Sequence, residues 1–342
     1  METDLTSKTE ARTMENFYTN VLFEHGEIDN ANDWLTFDYT KITPRILARE
    51  FTKYFELQYP VALEQLLKIC YDSDFSVEIL PDHHKPRGAN FSYNGETKIL
   101  FKEKDSPPGQ IHTVLHELYE VIDRHLYSLS DVDCKRKRSE IEAKADQFAT
   151  YVHVPDENVV NWINSNGLEV FGLTDQLTCS YATALIRLNE VLCGVVRVSS
   201  ATHIPMIALL YDRPYWKKTS SGRTPRLQLR AYTKSRGFPF KMSRAETEKL
   251  RFFRKDIGQM TVHSLIRAFS KDDRGCNVLI PNAEMHFDAV ALTSDILIRT
   301  VKWRNHRYTA KVLLQIVPSA EKDLMKLAQR QGFDIYEARN ER

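Results

Sequence analysis

The segment that most constrains this 342-residue chain runs from Ile111 to Leu126. After a Pro107-Pro108-Gly109 break, Val114, Leu115, Leu118, Val121, Ile122 and Leu126 recur at helical spacing, so one face of a helix must enter a core. The same helix carries polar groups in a defined pattern. His116 and Glu120 stand four residues apart, which puts both side chains on one face, one turn apart, within reach of a single metal ion. Glu117 is placed to polarise a water held by that ion.

This H-E-x-x-E arrangement departs from the H-E-x-x-H zincin pattern at its fifth position. Carboxylate oxygen is nonetheless a legitimate zinc ligand, and a catalytic zinc leaves one coordination position open to water beside its protein ligands. The next helix, from about Ser139 to Val152 and ending before Pro155, supplies a further donor. Glu142 lies 22 residues beyond Glu120, and a helical hairpin brings it to the ion. His112, one turn before His116, can replace Glu120 as a ligand or hold a ligand carboxylate from behind. A plainer reading stands beside these: Glu120 as a solvated helix residue and His116 as a buried, hydrogen-bonded histidine. Tyr119 and Asp123 border the region, and Asp146 either holds a ligand in place or hydrogen-bonds its own helix.

Around this hairpin the chain divides into segments of different character. Residues 1–35 mix acids, Asn and Thr with few apolar positions in period, and read as a loosely ordered arm. Ile46, Leu47, Phe51, Tyr54 and Phe55, then Val61, Leu63, Leu66, Leu67 and Cys70, predict two amphipathic helices, with Pro60 in the first turn of the second. The runs 75–80 (FSVEIL) and 97–101 (TKILF) predict paired strands of a small sheet, separated by a turn-rich stretch. Residues 36–156 thus form one domain. Residues 157–198 read as short helices with helix-turn-helix spacing, broken at Thr178-Cys179-Ser180. Beyond 199 come two strand-like runs, 288–303 and 310–318, divided by Arg304-Asn305-His306-Arg307, and an amphipathic helix ending at Gly332, so 199–342 is expected to be a separate α+β domain.

Charge separates the halves more sharply than the net value of +1 suggests. Residues 1–200 hold 20 Lys/Arg against 32 Asp/Glu, and residues 201–342 hold 27 against 14. Within 213–267, fifteen Lys/Arg and three acids alternate with Tyr215, Trp216, Tyr232, Phe238, Phe240, Phe252 and Phe253. That combination suits phosphate neutralisation with base stacking, so nucleic acid or another anionic ligand is a candidate partner, in competition with the acidic N-terminal half. The 168–192 helices carry only Arg187 as a cation on the second helix, which favours packing or repressor docking over DNA reading. Five cysteines, odd in number and never in a CxxC pair, argue against a disulfide framework or a thiolate zinc site. No long uncharged apolar run and no signal-peptide pattern occurs, which predicts no membrane span and a cytoplasmic location.

The two helical motifs together resemble the ImmA/IrrE family of metallopeptidase-like proteins, in which an H-E-x-x-H helix is followed by E-x-x-A-[ND]-x-F-A and an apolar stretch ending in proline. Glu142, Ala145, Asp146, Phe148, Ala149 and Pro155 match that second pattern. Pro86-Arg87-Gly88, Thr113, Phe171-Gly172-Leu173-Thr174 and Ile186 to Leu188 extend the likeness over about residues 40–195. The sequence departs from the family at Glu120, where the second histidine would stand, and in the stretch from Tyr151 to Pro155. The resemblance implies an α+β fold: a zincin-like domain with a small sheet, a helix-turn-helix-like segment and a sensor-like C-terminal domain. It implies zinc, with manganese as the alternative ion, held by His116, Glu120 and Glu142, with Glu117 as general base. The implied activity is cleavage of a helix-turn-helix repressor at one site in a stress or DNA-damage response. The competing expectation is a weakly active or inactive member that regulates transcription by binding a repressor or nucleic acid.

Overall fold

The computed structural model describes residues 12–29, 34–130, 136–166, 170–192, 206–212, 216–219, 222–225, 228–234, 250–254, 258–269, 277–287, 290–302, 309–318 and 334–335. The chain is α+β and separates into two compact units: Met1–Pro155 with Thr174–Ser180, and Asp156–Leu173 with Tyr181–Arg342. Among the described residues no helix is long and apolar enough to cross a membrane.

The first unit opens with α1 (Met14–His25), capped by the Thr13 hydroxyl, which accepts from the Asn16 amide. The sequence places these residues in a loose arm; instead Met14, Phe17, Tyr18 and Val21 are buried at helical spacing. The acids and asparagines between them dilute the composition without breaking that stripe. A short hairpin, β1 (Glu27–Asp29) and β2 (Trp34–Thr36), follows. Next come α2 (Pro44–Tyr54), with Thr43 as cap and Pro44 in its first turn, and α3 (Leu63–Asp72). The second helix starts three residues after Pro60, so that proline precedes the helix and does not open it. The Phe51 ring meets Phe17 edge-on at 5.6 Å and Phe148 at 5.5 Å, linking the helices through one aromatic core.

A three-stranded sheet of order β3-β5-β4 consists of β3 (Phe75–Ile79), β4 (Gly88–Tyr93) and β5 (Glu96–Phe101). The two expected strands pair in parallel, Phe75 opposite Thr97 and Ile79 opposite Phe101. The stretch between them, turn-rich in sequence, also contains β4, an edge strand antiparallel to β5. The turn at Asn94-Gly95, both at positive φ (51° and 83°), closes that hairpin and suits residues that tolerate the left-handed region. Two long helices complete the unit: α4 (Pro107–Ser128) and α5 (Arg138–His153). Pro107 and Pro108 are its first-turn residues, where a missing N–H costs nothing.

In the second unit, α6 (Asp156–Asn166) and α8 (Tyr181–Leu192) are joined through Arg187, which is fully buried and paired with Asp156 and Glu190. The one cation of that helix is therefore spent inside the fold, which removes it from any role in reading DNA. Between them, α7 (Val170–Leu177) runs across the division of the units, and Thr178 sits at φ 51°.

An eight-stranded sheet dominates the second unit. Its strands are β6 (Ile207–Asp212), β9 (Gln228–Lys234), β10 (Arg251–Arg254), β11 (Gly258–Thr261), β12 (Asn277–Phe287), β13 (Val290–Lys302), β14 (Thr309–Pro318) and β15 (Asp334–Ile335). The path β11-β10-β12-β13-β14-β6-β9 is antiparallel, and β15 joins β12 in parallel. β7 (Trp216–Thr219) and β8 (Gly222–Pro225) form a separate hairpin, and α9 (Val262–Phe269) follows β11. The two runs expected at 288–303 and 310–318 pair as β13 and β14, Ile296 opposite Ile316. A bulge between Ile280 and Ala283 puts Asn282 at φ 52°, where its N–H donates to buried Asp295 at 2.9 Å. The expected turn at 304–307 and the helix ending at Gly332 lie outside the described residues.

Candidate metal centre

The helices α4 and α5 run antiparallel, packed through fully buried Ala145, Phe148 and Ala149. The two alanines let the helices approach closely, so polar side chains beside the seam meet in levels. Nearest the connection, Asp123 pairs with Arg136, whose guanidinium lies 3.6 Å over the Tyr127 ring. One turn further on, Arg138 Nη2 donates to Glu120 Oε1 at 2.6 Å and its Nε donates to Glu142 Oε1 at 2.8 Å. Next, His116 Nε2 faces Glu142 Oε2 at 3.1 Å and Glu120 Oε1 at 3.7 Å. His116 Nδ1 is 3.0 Å from Asp146 Oδ1, and that oxygen is 3.4 Å from His112 Nε2.

The structure thus brings His116, Glu120 and Glu142 into one cluster and places Glu117 in the same cleft, of about 520 Å³. His112 meets Asp146 instead of Glu120. Tyr119 and Asp123 are buried and bond each other at 3.4 Å, behind the cleft. A larger cleft of about 630 Å³, lined by Thr13, Asp72, Ser73 and His125, contains no such trio of donors among the described residues.

Two residues outside the helical motifs, Asn90 and Gly88 of the Pro86-Arg87-Gly88 stretch, shape the other wall. Asn90 on β4 donates from one amide nitrogen to Glu117 Oε2 at 2.6 Å and to Glu120 Oε2 at 2.8 Å. Its carbonyl oxygen accepts from Arg124 at 2.7 Å, which fixes the amide orientation. Gly88 opens the same strand where a Cβ would lie 2.4 Å from Thr113 Cγ2 and 2.7 Å from Glu117 Oε1. Only glycine lets β4 press this close to α4. A polar residue at every second position of the strand, Asn90 then Ser92, is the one sequence signal for this wall.

Electrostatics follow from the crowding of carboxylates. Burial alone disfavours the His116 imidazolium, but hydrogen bonds with Asp146 and Glu120 and the charge of Glu117 outweigh it and raise its pKa to about 10. Burial likewise works against ionised Glu120, yet His116, Asn90 and Arg138 hold its pKa down at about 2. Hydrogen bonds from His112 and His116 hold Asp146 well below the carboxylate range. Glu117 moves the other way: burial, joined by the Glu120 charge, raises its pKa against the pull of Asn90. Neighbouring carboxylates at opposed pKa values are what a divided ligand and base assignment requires.

The donor set fits a metal ion. Tetrahedral zinc with bonds of about 2.0–2.2 Å separates its ligand atoms by about 3.3–3.6 Å, and the 3.1 and 3.7 Å separations around His116 Nε2 bracket that range. One imidazole and two carboxylates suit zinc or manganese. Arg138 is the opposing feature, since it already occupies Glu120 Oε1.

No family model matches the chain, and no curated protein does. A solved structure of a Mycobacterium tuberculosis transcriptional regulator aligns at 12% identity with a TM-score of 0.47, covering 80% of this chain and 75% of that one. A likeness at that level carries no functional argument. Of the basic, aromatic stretch, Arg230, Tyr232 and Arg251 are exposed on β9 and β10. Tyr215, Phe238 and Phe240 lie outside the described residues, as do the side chains of Trp216, Phe252 and Phe253.

Proposed function

We propose that the first unit is a one-metal peptidase centre of the ImmA/IrrE type, which cuts a helix-turn-helix repressor at one site and so relieves repression under stress. The supporting observation is the meeting of Glu142 with His116, 26 residues apart in sequence, beside a buried Glu117 in an open cleft. His116, Glu120 and Glu142 would hold zinc or manganese, which supplies Lewis acidity to the scissile carbonyl and the attacking water. Glu117 takes the proton of that water as its oxygen bonds to the carbonyl carbon, then passes it to the leaving amine as the C–N bond breaks. Asn90 keeps Glu117 Oε2 oriented and leaves Oε1 for proton transfer. Burial of Glu117 raises its proton affinity and makes it a stronger base than an exposed carboxylate.

Elemental mass spectrometry on purified protein is the first test. About one equivalent of metal, lost in His116→Ala, is expected. Glu117→Gln should keep the metal and lose cleavage of a repressor substrate; unaltered cleavage in that variant sinks the assignment. A second reading has its own observation: Arg138 clamps both ligand carboxylates. Absence of metal even after zinc addition would select a non-catalytic regulator that binds a repressor or nucleic acid.

A further inference from the structure

His116 faces donors on both of its nitrogens, and only one side is used by the centre described above. On the Nδ1 side, His112 Nε2, His116 Nδ1 and Asp146 Oδ1 all lie within 4.8 Å of one another. Asp146 Oδ1 is 3.4 Å from His112 and 3.0 Å from His116, again close to the about 3.3–3.6 Å edge of a tetrahedral zinc-like site. Asp146 is 65% exposed at its side chain and His112 is 30% exposed, so the trio is open to solvent. Seven residues beyond Asp146 on the same face of α5, the buried His153 lies near His112 and the Thr178 backbone, a further imidazole on that side.

We propose that His112, His116 and Asp146 form a second seat for a nitrogen-preferring first-row divalent cation, distinct from the His116–Glu120–Glu142 seat. The inference rests on the metal-centre reading and extends it. The donor chemistry differs between the seats: two imidazoles and one carboxylate here, against one imidazole and two carboxylates there. Imidazole donors suit copper, nickel and zinc, and nickel and copper gain most from them, whereas the carboxylate-rich seat also accepts manganese. The seats share His116 through opposite nitrogens. Simultaneous occupancy would require His116 to give up both ring protons, so the seats fill alternately. A cation in the second seat thereby withdraws His116 from the catalytic one.

A competing role for Asp146 is simply to orient His116 as a hydrogen-bond acceptor, as carboxylates behind ligand histidines do. Cobalt(II) titration of the full chain, followed by its visible absorption and by native mass spectrometry, separates the two. The proposal expects one Co2+ in the unaltered protein, one still bound in Glu142→Ala with a changed spectrum, and none in Glu142→Ala combined with His112→Ala. One Co2+ in the unaltered protein and none in Glu142→Ala overturns the second seat and leaves the peptidase-centre reading standing. Loss of the ion in His112→Ala alone, with Glu142→Ala unaffected, supports the second seat and overturns the first. Circular dichroism of each variant excludes unfolding as the cause, and both substituted side chains, His112 and Glu142, are partly exposed.

Discussion

Arg138→Ala should tighten metal binding at the His116–Glu120–Glu142 seat. The guanidinium reaches Glu120 Oε1 at 2.6 Å and Glu142 Oε1 at 2.7 Å. Glu142 can turn its other oxygen to an ion, but Glu120 cannot do so freely, because Asn90 holds Oε2 at 2.8 Å. Metal and Arg138 therefore compete for Glu120 Oε1. The arginine side chain is 66% exposed, which screens the pairs, and exposed ion pairs are worth about 0.2–1 kcal/mol each. Burial of Glu120 puts its pair toward the upper end, and only that pair competes with the ion, so releasing it should gain about 1 kcal/mol. That is about fivefold in the dissociation constant. Competition against a chromophoric zinc chelator at low salt measures it, with Arg138→Lys expected between the two. Unchanged or weaker binding in Arg138→Ala would show that the arginine supports the ligands instead of displacing the ion.

Three further outcomes follow from the same geometry. Burial, with the nearby His112 charge, lowers the His153 pKa from 6.5 to about 4, so the folded state binds this proton less readily than the unfolded chain. Its stability contribution is present above pH 6.5 and lost as pH falls toward 4, costing about 2 kcal/mol between about pH 7 and pH 5. Urea unfolding of His153→Leu at both pH values should lack that loss, and parallel curves would refute the assignment. Gly88→Ala forces a methyl into Thr113 and Glu117, which should cost about 1–3 kcal/mol of stability and displace the base; full cleavage activity would contradict this placement. Asn90→Ala removes the donor shared by Glu117 and Glu120, and metal affinity should drop about 10–100-fold, read by the same chelator competition.

The hairpin of α4 and α5 was legible because its period is strong and its polar exceptions are few. His116, Glu120 and Glu142 stand on a regular helical lattice, so spacing alone predicts which side chains share a face. Gly88 stood in the Pro86-Arg87-Gly88 stretch of the likeness, but Asn90 and the wall the two form were not legible, because β4 is short, half exposed and set in a turn-rich stretch. Its role depends on a cross-strand register that local sequence does not specify. Arg138 was missed for a related reason: a surface arginine at a helix start is ordinary, and only the packed hairpin aims it at two ligand carboxylates. The helix of residues 14–25 was obscured by its acids, although Thr13 and the stripe of Met14, Phe17, Tyr18 and Val21 were present.

Every donor of the centre lies between Asn90 and Asp146, on contacts between residues 18 to 34 apart in the chain. The sheet of the second unit closes differently: β6, at 207–212, waits for β14, at 309–318, before its central pairing can form. Short-range contacts assemble faster than long-range strand pairing. During synthesis the cluster of carboxylates and imidazoles is thus complete while the sheet still lacks its middle strands. The residues of the candidate centre are therefore all in place before the C-terminal half of the chain exists.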